Sequence, residues 1–250
     1  MKLLLTDHRF LKDGINILSE LVTDVKIKLD SDKLEIVAMD PANVAMVVFR
    51  LLSSAFAEYE VGSMEVIAIN LDSLKQILNR AKPTDKVSLE LDEEKNKLKV
   101  VLKGDSKRIF NIGLIDIHEK DQKIPDLKFV GSVEMSSSVF NEAVDDMGVV
   151  SDSVSLVLGK NSFSMESMGN VNDAQFEVKS NDETKIVLEG DNETIRSKYS
   201  TSYLKKIIRA SKLTDKVFLK FGHDYPLQVE YKVMDKLYLM TFLAPRVSND

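Results

Sequence analysis

The sequence contains no cysteine, which excludes disulfide bonds and thiolate metal sites and fits a reducing compartment. It has no apolar run near the ~20 residues that a membrane-spanning helix requires. No secretory leader is expected, since Met1-Lys2-Leu3-Leu4-Leu5-Thr6-Asp7-His8 turns polar after three leucines, too early for the apolar region of a signal peptide. The expected location is the cytoplasm. Histidine is scarce. His8, His118 and His223 lie in separate segments, and no two have ligand spacing. No P-loop, G-x-G-x-x-G, G-x-S-x-G or H-E-x-x-H pattern occurs. The acidic clusters Asp92-Glu93-Glu94 and Asp145-Asp146 could offer carboxylate oxygens to Mg²⁺. A hairpin tip accounts for the first and a solvated helix face for the second. The residues point away from an enzyme, and no metal or cofactor is expected. A two-domain hydrolase with an unrecognised carboxylate–metal site is the alternative from a different class.

What the sequence does have is a repeat. Its 250 residues, 44% hydrophobic and 30% charged, suffice for one large domain or two ordinary ones. Residues 74–89 read LKQILNRAKPTDKVSL and residues 204–219 read LKKIIRASKLTDKVFL. The blocks share Leu74/Leu204, Lys75/Lys205, Ile77/Ile207, Lys82/Lys212 and the whole Thr-Asp-Lys-Val run from Thr84 and Thr214, all 130 residues apart. Weaker matches pair Phe10 with Phe140, Met39 with Met168 and Ala45 with Ala174.

Each repeat reads alike. A short strand (Lys2–Leu5; Ser132–Met135) leads into a helix opened by Thr6/Asp7 or by Ser136/Ser137. Phe10, Gly14, Ile17, Leu18 and Leu21 in one repeat, and Phe140, Ala143, Val144 and Met147 in the other, recur at helical spacing. Alternating strands follow, as in Val25/Ile27/Leu29 and Val154/Leu156/Leu158. A second helix begins after Asn70 or Ser200, and each repeat closes in a hairpin. The predicted fold is α+β: two similar domains, each with helices packed on one face of antiparallel sheets. The predicted boundaries are residues 1–117 for domain 1, 118–129 for a charged connecting segment and 130–250 for domain 2. Ile124 and Leu127 are apolar in that otherwise charged connector and call for something to pack against.

The net charge of −6 argues against a simple nucleic-acid-coating protein, but it hides an uneven distribution. Between Ser200 and Lys212 there are Lys205, Lys206, Arg209 and Lys212 and no acidic residue. Lys205, Arg209 and Lys212 fall at i, i+4 and i+7, opposite the apolar stripe. The equivalent helix of the first repeat carries Lys75, Asn79 and Lys82 on the matching stripe, with Arg80 nearby. A solvated surface explains one such face. Its recurrence in both repeats points to phosphates, which Lys and Arg attract without reading bases.

Several segments resemble the sliding clamps of the proliferating-cell-nuclear-antigen family. Ala38-Met39-Asp40-Pro41-Ala42-Asn43-Val44 is similar to the clamp's S-M-D-x-x-x-V segment, and Asp224-Tyr225-Pro226-Leu227-Gln228-Val229-Glu230-Tyr231-Lys232 to its P-L-x-V-E-Y strand. Leu243-Ala244-Pro245-Arg246-Val247 resembles its L-A-P-K/R terminus, and Ile124-Pro125 its interdomain connecting loop. The landmarks run in family order along the whole chain, in a form that looks archaeal.

The resemblance implies a ring of three two-domain subunits around duplex DNA, trimeric by self-association, that raises polymerase processivity and catalyses nothing. It implies replication and repair partners, namely DNA polymerase, flap endonuclease, DNA ligase and the clamp loader (replication factor C), docking through short peptide motifs. The implied DNA-facing residues are Arg9, Lys12, Lys75, Arg80, Lys82, Lys205, Lys206, Arg209 and Lys212. The implied peptide pocket comprises Met39, Val44, Met46, Ile124, Phe129, Pro226, Leu227, Phe242, Leu243, Ala244 and Pro245. Subunit contact is implied at Ile109, Phe110 and Ile112 of one chain and Phe176 and Val178 of the next, the other reading being internal strands. An archaeal member would associate with the nucleoid, a eukaryotic one with the nucleus. One departure stands out: the helix Ser136–Met147 carries Glu142, Asp145 and Asp146 and no cation, where the family usually has Lys or Arg. That helix keeps open the alternative of a heterotrimeric or checkpoint-type clamp subunit.

Overall fold

The repeated sequence folds into a repeated order of elements. A computed structural model describes residues 1–118 and 120–246. The first repeat runs β1 (Lys2–Leu5), α1 (Arg9–Leu18), β2 (Asp24–Leu29), β3 (Lys33–Met39), β4 (Ala45–Leu52), β5 (Glu58–Glu60), β6 (Glu65–Asn70), α2 (Leu71–Asn79), β7 (Lys86–Asp92), β8 (Lys97–Lys103) and β9 (Lys107–Gly113). The second runs β10 (Gly131–Ser136), α3 (Ser137–Val150), β11 (Ser153–Gly159), β12 (Ser162–Met168), β13 (Asp173–Lys179), β14 (Lys185–Leu188), β15 (Thr194–Ser200), α4 (Thr201–Ile207), β16 (Lys216–Phe221), β17 (Leu227–Val233) and β18 (Leu237–Leu243). Short 3₁₀ turns cover Ser53–Ala55 and Ile208–Lys212.

Contacts divide the chain into two units. Unit 1 comprises Met1–Pro41, Val47–Ile124 and Val233–Leu239; unit 2 comprises Ala42–Met46, Pro125–Lys232 and the chain from Met240. In unit 1 the strand orders are β5-β1-β7-β8-β9 and β4-β3-β2-β6; in unit 2 they are β14-β10-β16-β17-β18 and β13-β12-β11-β15. Strand for strand, the second pair of sheets copies the first. The registered pairs are antiparallel, as in Lys2↔Glu90 with its counterpart Ser132↔Lys220.

Alternation decides which face is buried. On β7 and β8, Val87, Leu89, Leu98, Val100 and Leu102 point inward and Lys86, Lys97, Lys99 and Lys103 outward, apart from a buried Val101. In unit 1 the inward residues meet α1 and α2; Leu3 and Leu89 of one sheet, Ile27 and Ile67 of the other, and Leu11 and Leu74 of the helices line one small apolar void. In unit 2 the rings of Phe163 and Phe221, one from each sheet, meet edge to face at 6.4 Å.

The helix phase differs from the sequence reading. The first helix starts at Arg9, with His8 as N-cap, rather than at Thr6/Asp7. The His8 ring is buried, with Nε2 2.9 Å from the Lys82 carbonyl oxygen. The buried stripe is therefore Leu11, Gly14, Ile15 and Leu18, matching Phe140, Ala143, Val144 and Met147 of α3. Leu11, not the half-buried Phe10, is the counterpart of Phe140. Gly14 is needed for close approach, since a Cβ there would lie 2.3 Å from the Phe49 ring.

Glu230 is the main polar exception in the core. It is 1% exposed on β17, ion-paired with Lys232, and accepts hydrogen bonds from Gln228 and, at 3.0 Å, from Lys220. Burial pushes its pKa upward, but the hydrogen bonds and charges of Lys232 and Lys220 together outweigh it and hold the carboxyl below its ordinary value. A carboxyl depressed in the folded state contributes stability above its unfolded pKa, and that contribution is lost as pH falls through the folded value. Glu230→Gln should therefore cost about 1.5–3 kcal/mol at neutral pH. Urea unfolding across a pH series should show the gap to wild type closing as pH falls below the carboxylate range.

Candidate functional site

The basic residues cluster on the helices, but the two units hold them differently. In unit 1, Arg9 is tied to Asp7 at 2.6 Å, Lys75 lies 3.9 Å from Glu20, and Lys82 lies 3.5 Å from Asp105. The Arg9 guanidinium holds the Asp7 carboxyl below its usual range. Lys12 is half-buried and Arg80 exposed. Reciprocal amide hydrogen bonds of 3.1 Å between Asn16 and Asn79 fix α1 against α2. In unit 2, Asn141 donates to Ser211 at 2.9 Å and does the same for α3 and the 3₁₀ turn.

The cationic helix of unit 2 is not one α-helix. It changes to 3₁₀ geometry at Ile208, so Lys205 and Lys206 sit on the α turn and Arg209 and Lys212 on the tighter one. The 3.6-residue stripe read from the sequence thus rotates after one turn. Lys206 lies over the Tyr203 ring at 5.3 Å, and the Lys205 stem runs along Gly148 of α3. Glu142, Asp145 and Asp146 are exposed on α3. Among the described residues, no group of three or more His, Asp or Glu side chains could hold a metal ion.

The connector, residues 114–130, has no regular secondary structure; Glu119 lies outside the described residues. Its first half is fastened to unit 1 by Asp121, which accepts from Lys28 at 2.8 Å and from Lys26 at 3.3 Å. Lys28 and then Lys26 hold the Asp121 carboxyl below its usual range. In unit 2, Phe129 packs edge-on against Tyr225 at 5.8 Å, directly before Pro226.

The residues proposed for a peptide pocket divide by exposure. Met39 and Ile124 of unit 1 are half-exposed, as are Val44, Phe129, Pro226 and Pro245 of unit 2, while Ala244 is exposed. Within unit 2 the Ala244 amide donates to the Val44 carbonyl at 2.9 Å and sets those two segments side by side. Met46, Leu227, Phe242 and Leu243 are core residues, Leu227 and Leu243 with 0% exposure. Leu243, implied as a pocket residue, is instead core, because it ends a full strand, β18. Val247 lies outside the described residues.

The two strands assigned to subunit contact are both edge strands. β9 ends one sheet of unit 1 and β13 ends one sheet of unit 2. Ile109 is 50% exposed, and Phe110, Phe176 and Val178 are half-exposed. Ile112 is already buried against its own sheet. The β9 edge is braced from behind: Arg108 donates to Asp85, which is buried, and to the Arg80 carbonyl at 3.0 Å, and Asp85 also accepts from the Lys82 amide at 2.7 Å. Sequence reasoning missed this brace because the Thr-Asp-Lys-Val block looks the same in both repeats. Asp215, the counterpart of Asp85, is exposed, and the position of Arg108 has no cationic counterpart beside it. Tyr225 was missed although it adjoins Pro226, because ring pairing with Phe129 is invisible along the chain.

Residues 1–123 match the family model described as the proliferating cell nuclear antigen N-terminal domain, and residues 123–246 match its C-terminal domain. The chain is 35% identical to a DNA polymerase sliding clamp of Pyrococcus furiosus, with 94% of each chain covered. It is 32% identical to a DNA polymerase sliding clamp of Nanoarchaeum equitans, covering 98% of this chain and 99% of that one. Among solved structures, PCNA from Thermococcus kodakaraensis superimposes with a TM-score of 0.90 at 25% identity, covering 98% of this chain and 99% of that one. A PCNA2–PCNA3 complex from Sulfolobus tokodaii matches in fold with a TM-score of 0.87 at 22% identity, over 98% of this chain and 99% of that one.

The diverged aspartates give a matched test. Asp85→Ala removes one partner of a buried charged hydrogen bond and should cost about 2–3 kcal/mol in urea unfolding. Asp215→Ala, on the surface, should stay within about 0.5 kcal/mol of wild type.

Proposed function

The chain belongs to the proliferating-cell-nuclear-antigen family, and from that membership we propose how it works as a DNA polymerase sliding clamp. A clamp encircles duplex DNA and keeps the polymerase on it. The observation that carries this reading is the complete doubling of sheets and helices, matched end to end by the two domain models of one family. In this reading the chain performs no reaction, works in the cytoplasm on the nucleoid, and assembles as a ring of three copies. No helix among the described residues is long and apolar enough to cross a membrane.

The ring closes head to tail, the free edge of β9 in one copy pairing with β13 in the next. Such a heterologous contact uses two different patches and closes when the rotation returns on itself. Charge supports self-closure over a heterotrimer. α2 packs beside β9 and α3 beside β13, each within its own unit. Joining the edges brings Arg80 and Lys82 of one copy beside Glu142, Asp145 and Asp146 of another. The acidic helix then serves assembly, and the duplex is held mainly by Lys205, Lys206, Arg209 and Lys212, with Arg9, Lys12 and Lys75 contributing less because Arg9 and Lys75 are already ion-paired.

Retention on DNA is topological, and weak phosphate contacts keep the duplex centred. Hole-facing charges act within a Debye length of ~8 Å at physiological salt, so the acidic exterior is screened from the DNA. Replacing Lys205, Lys206, Arg209 and Lys212 with Ala should leave assembly intact, impair polymerase stimulation and flatten the salt dependence of direct binding. The wild-type ring should persist on closed circular DNA at salt that strips it from linear DNA; equal release from both would rule out a topological clamp.

Partner peptides contact the accessible members of each unit, Met39 and Ile124 in unit 1 and Val44, Phe129, Pro226, Ala244 and Pro245 in unit 2. The partners proposed are polymerase, clamp loader, flap endonuclease and ligase. Ile124→Ala should weaken an aromatic-anchored peptide by ~1–3 kcal/mol in calorimetry without changing stability. Leu243→Ala should instead destabilise the fold by about 2–5 kcal/mol, as a core cavity does.

A further inference from the structure

The connector reaches Ile124 with few fixings. At its start the Leu114 amide donates to the Asn96 carbonyl at 3.1 Å and the Ile115 amide to the Ala68 carbonyl at 2.9 Å. Among the described residues, the next polar contact along it is that of Asp121 with Lys28 and Lys26. These two lysines stand on the outward side of β2, since Val25, Ile27 and Leu29 are buried on the other side. Lysines on an outward face normally lie open, yet Lys26 and Lys28 are only 23% and 35% exposed beneath the connector. The nearby carboxylates are already committed. Glu35, directly opposite Lys28, is ion-paired with Arg50 and Lys33, and Asp24 accepts from Asn70 at 2.9 Å.

Apolar packing does not seal this stretch down. A cleft of about 80 Å³ lies between connector and sheet, bordered by Val37 and Met39 of β3 and by Ile117 and Gln122 of the connector. Met39 and Ile124 are the accessible pocket members of unit 1, one on a strand and the other on the connector. The strand is held by its ladder, whereas the connector is held by Asp121. Without that fixing, the chain from Ile115 to Ile124 gains backbone freedom that a bound peptide has to remove, and the ordering subtracts from affinity.

We infer that Asp121 is a positioning residue for partner recognition: through Lys26 and Lys28 it holds the connector in order, so that Ile124 meets a partner peptide already placed. This rests on the proposed peptide docking and adds to it a residue that itself touches no peptide. Two measurements test it, and the first needs no partner. Trypsin cuts after Lys120 and Lys123, both exposed in the connector. Changing Lys26 and Lys28 together to Met removes the fixing and leaves the cut segment unaltered. Cutting there should quicken about three- to tenfold, following the population of released connector. An unchanged rate overturns the fixing. The second measurement is calorimetry with an aromatic-anchored peptide that carries no charged side chain. Asp121→Asn should weaken its binding about three- to tenfold at low salt, Asp121→Glu should keep most of the affinity, and Lys26→Met with Lys28→Met should match Asp121→Asn. Combining all three changes should weaken binding no further, as expected of groups that act as one unit. The gap to wild type should close at molar salt. Unchanged affinity in Asp121→Asn, losses that add, or a loss that persists at molar salt overturns the positioning role while peptide docking stands. A wild-type chain that binds no such peptide overturns the docking proposal, and the positioning role with it.

Discussion

The N–H and C=O groups along the rim of a β-sheet have to be paired, hydrated or shielded, and β9 and β13 are two of the long strands that present such a rim. β9 and β13 end their sheets, as β5, β6, β14 and β15 do. Both open rims alternate polar and half-exposed apolar residues, and neither contains a proline or a bulge that would blunt it. In a monomer this is a standing aggregation hazard; in a ring closed through them, these two rims are paired. The proposed ring closure would pair one open rim from each repeat, β9 of the first and β13 of the second.

Divergence between the repeats follows the same division. The Thr-Asp-Lys-Val block is common to both, but only Asp85 is buried and bound to an arginine, and that arginine sits on the open strand β9. A free strand needs support from behind, and an interior one gets it from its neighbours. On the helices the divergence is electrostatic: unit 1 neutralises several of its cations locally, while unit 2 separates an acidic α3 from a cationic α4. A net charge of −6 is compatible with DNA in the centre because screening makes only nearby charges count.

The sequence reading reached the fold through features that local chemistry fixes. The Thr84 and Thr214 blocks set the repeat, and Asn70, whose side chain accepts from the Ser73 amide, marks the start of α2 as an N-cap should. The hairpin of β7 and β8 was legible from its alternation. It failed where a one-residue phase or a distant partner decides. Thr6 and Asp7 look like better caps than His8, but His8 is anchored through space to the Lys82 carbonyl, and the helix phase moves with it. Leu243 looked like a tail residue, and β18 makes it core. The connector was recognised by its charge, but the fastening of Asp121 to Lys26 and Lys28 was not, because those lysines lie more than ninety residues upstream. Lys86, Lys103 and Lys107 are unremarkable along the chain and become a charged row only when register brings them together.

A ring that must both hold DNA and admit it needs an interface whose strength lies between two limits. Buried apolar joins of the size found in obligate dimers would close it for good, and a few surface ion pairs, each worth ~0–1 kcal/mol, would not close it at all. A short ladder of backbone hydrogen bonds, each contributing about 0.5–1.5 kcal/mol net, lies between. In an interface of that kind exposed flanking charges would contribute less as ionic strength rises while the ladder would not weaken with it, so ring lifetime would follow the number of backbone rungs.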